Sequence, residues 1–393
     1  MDRNRIHLTG GGPEHYRRDR EEIDAAVGAV LERGSFVMGP EVPAFEAEFA
    51  RYCGVSHSVA VKSGTSALLL ALVAAGVQPG DEVIGVANAD LAISLAAIHR
   101  NADLKWADIE PETFNMDPES LAQSLTPRTK AVIVAHMYGL MADMDAIGEV
   151  LEEYPDVVLI EDASLATGAE YRGRRAGSFG DMACFSLAST KMLGVIGSGG
   201  VITTDSFDYY QRLNWARHYG RTQSPYNYDD PLPPSDAGPG MVIEGLNERM
   251  DTIQAAVALV KLPRMPEYLL RRREIAAHYD ATLGDSPCVL PTVPADRTHC
   301  YRVYPILVAD GCRDRVVANL REEGIDAGPM YVPPDHLHPY FRERGAREGM
   351  LPVTEEVARR IVCLPSHPYM TDEDVRRVAD ACAAALDETT RGR

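Results

Sequence analysis

The sequence has few cysteines, few lysines and no long apolar run. The longest apolar run, residues 67–77, is interrupted by Gly76, and it is shorter than the roughly 18 residues that a membrane-spanning helix needs. The opening segment, MDRNRIHLTGGGPEHYRRDR, has no apolar stretch of the length that a secretory signal requires. We therefore expect no membrane segment and a cytoplasmic location.

The seven cysteines are an odd number and form no C-x-x-C pair, and the sequence contains no H-E-x-x-H motif. Disulfide frameworks and zinc sites both need cysteines or histidines at characteristic spacings. His336 and His338 are close together, but their proline-rich surroundings are typical of a loop. We therefore expect buried or surface thiols and no metal. The cysteines are Cys53, Cys184, Cys288, Cys300, Cys312, Cys363 and Cys382.

Basic residues are outnumbered, with 39 lysines and arginines against 58 aspartates and glutamates and a formal charge of −19. Such a surface repels nucleic acids and anionic membranes. Small anions remain compatible with a local basic pocket. The 393 residues, of which 45% are hydrophobic and 25% charged, are enough for two or three globular domains.

Short apolar, β-branched runs alternate with segments of helical composition from Val55 to about Asp205. This alternation predicts a mostly parallel sheet covered by helices, and continuous apolar runs are typical of strands buried on both faces. Strands are predicted at residues 59–61, 83–86, 104–107, 131–135, 157–160, 183–186 and 200–203, and helices at 66–75, 91–99, 118–124 and 144–153.

Residues 224–241 are dense in proline, glycine, aspartate and serine, which predicts a long loop. Helices are then predicted at 251–262 and 267–283, a strand at 299–308, and helices at 313–323 and 372–385. We therefore divide the chain into residues 1–262, an N-terminal arm and a large domain with the seven-stranded sheet, and residues 263–393, a smaller α+β domain. The predicted fold class is α/β.

A phosphate site is predicted where the first strand meets the next helix. The motifs G-x-G-x-x-G and G-K-[ST] are absent, so the common nucleotide-binding folds have no support. In VAVKSGTSALLL, however, Ser63, Gly64, Thr65 and Ser66 combine hydroxyls with the free N–H groups of a helix start, which bind anions. The alternative is an ordinary N-cap with a tight turn.

An acid and an amine follow on the same predicted sheet. Glu161 and Asp162 end an apolar strand in VVLIEDA, where open α/β sheets place their ligands; the alternative is a helix cap or a solvated acid. Lys191, one of five lysines, follows a strand and precedes a glycine-rich segment. A lysine that is desolvated there loses its proton and can form a Schiff base; the alternative is a surface lysine.

Pyridoxal phosphate requires all three of these groups. Its phosphate needs an anion site, its ring nitrogen needs an acid that keeps it protonated, and its aldehyde needs a lysine. Asp162 would favour the protonated ring by charge pairing, which makes the ring a better electron sink. The joint occurrence of the three groups on one sheet therefore predicts this cofactor.

The sequence resembles the DegT-type sugar aminotransferases, a family of fold type I pyridoxal phosphate enzymes, almost from end to end. Similar segments include GSFVMGPEVPAFEAEFARYCGV, SGTSALLLAL, IEDASLATGAEYRGRRAGSFGD, FSLASTK, LNERMDTIQAAV and MYVPPDHLHPYF. The resemblance implies that Lys191 is the Schiff-base lysine, that Asp162 contacts the pyridine nitrogen, and that the chain forms homodimers with shared active sites. It further implies phosphate contacts from Gly64, Thr65, Ser66, Ser186 and, from the neighbouring subunit, Asn247.

The resemblance also implies a reaction. Glutamate or glutamine would give its amino group to the cofactor, which would then aminate a keto group on a nucleotide-linked deoxysugar or a cyclitol in small-molecule or antibiotic biosynthesis. Lys191 would act as general base and then as general acid. The acceptor positions of the family correspond here to Tyr219, Arg221, the 224–241 loop, Tyr331 and His336.

Four cofactor-site positions depart from the family pattern. Asp90 stands where an aromatic residue usually stacks on the cofactor ring, and Leu165 where a glutamine usually donates to the phenolic oxygen. Thr167 and Met192 replace a common histidine and a common asparagine. One alternative is therefore a same-fold enzyme that catalyses elimination or epimerisation. The other is a cofactor-free binding or regulatory protein, which the retained Lys191 and Asp162 disfavour.

Overall fold

Strands occur throughout the part of the chain that this computed structural model describes, which is residues 5–10, 13–223, 233–236 and 238–391. Their bounds are β1 His57–Val61, β2 Glu82–Val86, β3 Asp103–Ala107, β4 Thr129–Ala135, β5 Val158–Asp162, β6 Glu170–Tyr171, β7 Arg174–Arg175, β8 Met182–Ser186, β9 Gly200–Thr204, β10 Cys288–Val289, β11 Tyr304–Val308 and β12 Ile361–Leu364.

Seven of these strands form one central sheet in the order β1-β9-β8-β5-β4-β2-β3. The strands from β8 to β3 are parallel to one another, and β9 runs antiparallel to both of its neighbours. The seven predicted strands all lie in this sheet. The predicted α/β class with a mostly parallel seven-stranded sheet is therefore confirmed.

Helices cover the sheet because their apolar positions face it. Helix α4 is the clearest case, since its sequence GTSALLLALVA is buried at every position except Thr65 and Leu69. The helices are α1 Pro13–Arg17, α2 Arg20–Arg33, α3 Glu41–Cys53, α4 Gly64–Ala74, α5 Ala92–His99, α6 Pro118–Ser124, α7 Met144–Leu151, α8 Phe207–Ala216, α9 Thr252–Lys261, α10 Met265–Leu283, α11 Arg313–Glu322, α12 Pro339–Arg342, α13 Pro352–Arg360 and α14 Asp372–Arg391.

A second, smaller sheet lies in the C-terminal part of the chain. Strands β10, β11 and β12 pair in that order and are antiparallel. Helices α10, α11 and α14 pack with this sheet around a separate hydrophobic cluster, which also includes Ile6 from the N-terminal segment. The division into residues 1–262 and 263–393 stays a prediction.

Two predicted segments, the strand at 299–308 and the loop at 224–241, do not coincide with described elements of the same length. The strand predicted at 299–308 is shorter, because Cys300 and Arg302 donate their backbone N–H groups to Gly139 and Tyr138, which attaches residues 299–303 to the large sheet's loops. Most of the predicted 224–241 loop, residues 224–232 and 237, lies outside the described residues. Among the helices that are described, none is long and apolar enough to cross a membrane.

Candidate active site

A cavity of about 410 Å³ opens at the carboxyl ends of the parallel strands β2, β4, β5 and β8. Ligands of open α/β sheets bind at this edge, and the volume is within the range of small-molecule sites. Nine of the residues named in the sequence analysis line this cavity: Ser63, Gly64, Thr65, Asp90, Asp162, Leu165, Ser186, Lys191 and Tyr331.

The N-terminus of α4 forms one end of the cavity. Ser63 caps the helix, because its Oγ accepts the Ser66 N–H at 3.1 Å. A side chain at Gly64 would place a Cβ 2.7 Å from the Cβ of Ser186, so glycine permits the close approach of α4 to β8. The Ser66 hydroxyl bonds to Ser63 and Glu248 instead of lining the cavity.

The two acids at the end of β5 have different environments. Glu161 is fully buried and accepts hydrogen bonds from His136 and from the backbone N–H groups of Gly177, Phe179 and Gly180. Burial opposes its ionisation, but these hydrogen bonds hold the pKa of Glu161 below its usual value. Glu161 therefore stabilises the fold, and Asp162 is the acid that lines the cavity.

Asp162 is 7% exposed, and its Oδ1 accepts the Ser164 N–H at 3.1 Å. Burial raises the pKa of this carboxyl, although Ser164 and the nearby Lys191 act against the rise. A desolvated carboxylate is stabilised by a cation placed beside it. The protonated nitrogen of a pyridine ring would be such a cation.

Lys191 lies in the loop between β8 and β9, and its backbone N–H bonds to the Ala188 carbonyl at 2.7 Å. Burial, followed by the charge of Arg302, lowers the pKa of Lys191, while Asp162 and Asp90 oppose this shift. A lowered pKa increases the fraction of neutral amine, which is the form that attacks an aldehyde.

Two of the four departures from the family pattern, Asp90 and Leu165, lie on the cavity wall, whereas Thr167 and Met192 do not line it. Asp90 is exposed, and its Oδ1 accepts the backbone N–H of Ala92 at 3.1 Å, at the start of α5. The side chain therefore supports the helix start and still faces the cavity. Leu165 is 7% exposed and offers only methyl groups there.

The arrangement fits pyridoxal phosphate. A helix N-terminus for an anion, a buried acid and a lysine with a lowered pKa line one cavity, in the combination that this cofactor needs. The close contact between Gly64 and Ser186 keeps the anion end narrow. The residues present can therefore hold the cofactor's phosphate, ring nitrogen and aldehyde.

Two further wall residues were not found from the sequence. His136 lies at the end of β4; its Nδ1 accepts the Ala142 N–H at 3.2 Å, so its Nε2 donates to Glu161. Arg302 is 2% exposed and lines the cavity close to Lys191. Arg302 lies inside the apolar stretch that was predicted as a strand, and a charge in such a stretch was the available signal.

The remaining predicted residues lie apart from this cavity. His336 is buried, and its Nε2 contacts Glu355 at 3.0 Å. Tyr219, Arg221 and Asn247 are exposed on the surface of the chain. The guanidinium of Arg221 lies 5.7 Å from the centre of the Tyr219 ring. Their roles toward the substrate or a neighbouring subunit stay predictions.

Known proteins resemble this chain over most of its length. A transaminase from Streptomyces venezuelae, dTDP-3-amino-3,4,6-trideoxy-alpha-D-glucose transaminase, is 35% identical over 93% of this chain and 92% of its own. The erythromycin biosynthesis sensory transduction protein EryC1 of Saccharopolyspora erythraea is 34% identical over 94% of this chain and 96% of its own. The crystal structure of S. venezuelae DesV with a ketimine intermediate covers 95% of this chain and 96% of its own, with a TM-score of 0.86 and 35% identity.

The family comparison agrees with the geometry of the cavity. The model of the DegT/DnrJ/EryC1/StrS aminotransferase family matches residues 17–383, nearly the whole chain. Aminotransferases of this family depend on pyridoxal phosphate, which is the cofactor that the cavity fits. This chain therefore belongs to the DegT/DnrJ/EryC1/StrS aminotransferase family.

Proposed function

We propose that this enzyme transfers an amino group from glutamate or glutamine to a keto sugar, most often one linked to a nucleotide, or to a cyclitol. The observation that carries the proposal is the single cavity that brings together the α4 N-terminus, Asp162 and Lys191. The names of the relatives, one a nucleotide-sugar transaminase and one a protein of erythromycin biosynthesis, support a role in sugar or antibiotic biosynthesis.

The roles of the residues follow from their positions. The N–H groups of α4 with Thr65 and Ser186 bind the phosphate, and Asp162 keeps the ring nitrogen protonated. The bound cofactor supplies an electron sink beside the reacting carbon. Lys191 would act through Nζ as general base toward the α-carbon of the donor and, in the second half-reaction, as general acid toward the carbon of the acceptor.

A homodimer with shared active sites is the proposed assembly. Asn247 lies on an exposed segment whose next residues run beside β1, since the Lys62 N–H bonds to the Glu248 carbonyl at 2.9 Å. Large apolar side chains are exposed along this segment and on nearby elements, which is typical of a surface that a second subunit covers. They are Phe36, Leu91, Leu95, Ile196, Met241, Val242 and Leu246.

A second reaction on the same cofactor is favoured by one observation. Asp90 and Leu165 line the cavity at the positions of the usual stacking ring and phenolic hydrogen-bond donor. The ring would then be held by a different set of contacts, and elimination or epimerisation is the alternative to transamination. The cytoplasmic location also stays a proposal, based on the biosynthetic role of the relatives.

Absorbance spectroscopy tests the proposal. The purified protein with pyridoxal phosphate should be yellow, and glutamate or glutamine should convert it to the pyridoxamine form, which a keto sugar should reverse. A colourless protein that takes up no cofactor would instead indicate a binding or regulatory role. A yellow protein that neither amino acid converts would favour elimination or epimerisation.

A further inference from the structure

Arg302 is a buried cation, and some of its side-chain N–H groups have no hydrogen-bond acceptor. It is 2% exposed and lines the cavity. Its Nε and Nη1 atoms are buried and have no hydrogen-bond partner in the part of the chain that the structure describes. Its backbone is fixed, because its N–H donates to the Tyr138 carbonyl at 2.9 Å and its own carbonyl accepts from Arg272.

A buried guanidinium whose N–H groups lack acceptors favours the binding of an anion. Two buried N–H groups without acceptors cost free energy, and an uncompensated buried charge adds to that cost. Burial lowers the pKa of Arg302 to about 10, so the group is still a cation at neutral pH. Within the described ranges, no carboxylate forms an ion pair with it. The two acids on the cavity wall, Asp90 and Asp162, instead accept the N–H groups of Ala92 and Ser164.

The position of Arg302 identifies which anion fits. Arg302 and Lys191 line the same cavity, and the positive charge of Arg302 contributes to the lowered pKa of the Lys191 amine. The phosphate of the cofactor is assigned to the start of α4, where Gly64 and Ser186 are in contact. An amino acid that exchanges its amine beside Lys191 must place its α-carboxylate one carbon away from that amine.

We propose that Arg302 binds the α-carboxylate of the amino donor. The planar guanidinium matches a carboxylate through two parallel hydrogen bonds, and its buried Nε and Nη1 groups are available for them. The proposal rests on the proposed aminotransferase function, and it makes Arg302 a residue that selects α-amino acids over simple amines as donors. A keto sugar without a carboxylate does not use it.

Binding of glutarate, which has the carboxylates of glutamate but no amine, tests this without turnover. Calorimetry on the holoprotein should show that Arg302→Gln weakens glutarate binding roughly 10- to 100-fold, with a smaller loss in Arg302→Lys. Arg344→Gln, at an exposed arginine over the Tyr340 ring, is the matched control and should bind glutarate like the parent. Equal glutarate affinity in the parent and Arg302→Gln would overturn the proposal.

Kinetics of the two half-reactions show whether Arg302 binds the amino donor, the acceptor or the cofactor. Arg302→Gln should raise the KM for glutamate, lower kcat much less, and leave the reverse step with a carboxylate-free keto sugar unchanged. A loss confined to acceptors that carry a carboxylate would show that the acceptor is the anion, and an equal loss of cofactor affinity would show that the cofactor is; either result refutes the proposal.

Thermal unfolding controls for a structural role. Because Arg302→Gln removes an unpaired buried charge, its Tm without ligand should equal or exceed that of the parent. A lowered Tm together with reduced glutarate and cofactor binding would assign Arg302 to the fold and overturn the proposal. If the parent itself converts no amino acid, the proposed function fails, while the glutarate titration still decides whether Arg302 binds a carboxylate.

Discussion

Lys261 donates from Nζ to the carbonyl oxygen of Gly194 at 3.0 Å, within the loop that contains Lys191. The side chain is fully buried at the end of α9, and its Nζ also contacts Nε2 of His15. A buried lysine thus joins the N-terminal segment, α9 and the loop of the proposed Schiff-base lysine. Its removal should therefore affect both stability and the position of Lys191.

The first prediction concerns the pH dependence of stability. Burial lowers the pKa of Lys261 from its ordinary 10.5 to about 7. Between these values the unfolded chain binds a proton that the folded chain does not, so the free energy of unfolding rises with pH by up to about 1.4 kcal/mol per unit. Lys261→Met should remove this rise, as measured by denaturant unfolding at pH 7, 8 and 9. Parallel pH curves for both proteins would contradict the assignment.

The second prediction is that Lys191 carries the cofactor. Borohydride reduction followed by peptide mass spectrometry should place the pyridoxyl group on Lys191, because its amine faces the cavity and has a lowered pKa. Lys62 is exposed and close in sequence to the same helix start, so it serves as the internal control. A label on Lys62 in place of Lys191 would show that the lysine was misassigned.

The third prediction is that each active site needs two chains. Asn247 is exposed and does not line the cavity of its own chain, as expected if it contacts a neighbour's phosphate. Mixing inactive Lys191→Ala and Asn247→Ala chains should restore activity, since a hybrid dimer has one site with both residues intact. A monomer that is fully active at assay concentration would refute shared sites.

The fourth prediction concerns the two departures in the cavity. Ring stacking and a hydrogen bond to the phenolic oxygen each contribute about 1 kcal/mol, so Asp90→Phe and Leu165→Gln should each raise cofactor affinity about fivefold. Removing the charge at position 90 should also admit acceptors with an anionic group near the ring. Cofactor titrations and an acceptor screen measure these effects.

Asp90→Asn is the matched control for that experiment. Its side-chain oxygen can still accept the Ala92 N–H that Asp90 accepts in the structure, but it carries no charge. If Asp90→Asn already changes the acceptor range, the negative charge of Asp90 causes the change. If only Asp90→Phe changes it, the aromatic ring of the new side chain is the cause. If all the variants match the parent, these positions do not shape the site.

Much of the fold could be predicted from the sequence because its strands are continuous apolar runs between turn residues. The hairpin of Glu170–Tyr171 and Arg174–Arg175 was missed, since two-residue strands have no periodicity to detect. The predicted strand before Asp162 stopped at residue 160, but the structure extends it to Asp162 itself. A charged residue at a strand end is indistinguishable from a loop residue by composition alone.

The cavity was predictable in part. Gly64, Asp162 and Lys191 stand at the junctions of strands with helices or loops, where local sequence marks them. Arg302 and Lys261 were not assigned a role, because each is a single charge within an apolar segment, and its significance depends on what the fold places around it. The partners of Lys261, His15 and the Gly194 carbonyl, are distant in sequence.

The pairing of β1 with β9 has a consequence for the order in which this protein matures. Strand β1 lies at the sheet edge and is held there by β9, with His57 opposite Thr204. A nascent chain must therefore emerge beyond Thr204 before β9 can hold β1, and with it Gly64, in place beside Ser186. Such long-range pairing forms slowly. The phosphate end of the cavity is consequently complete only after β9 has joined the sheet, so the site forms late in the folding of the large sheet.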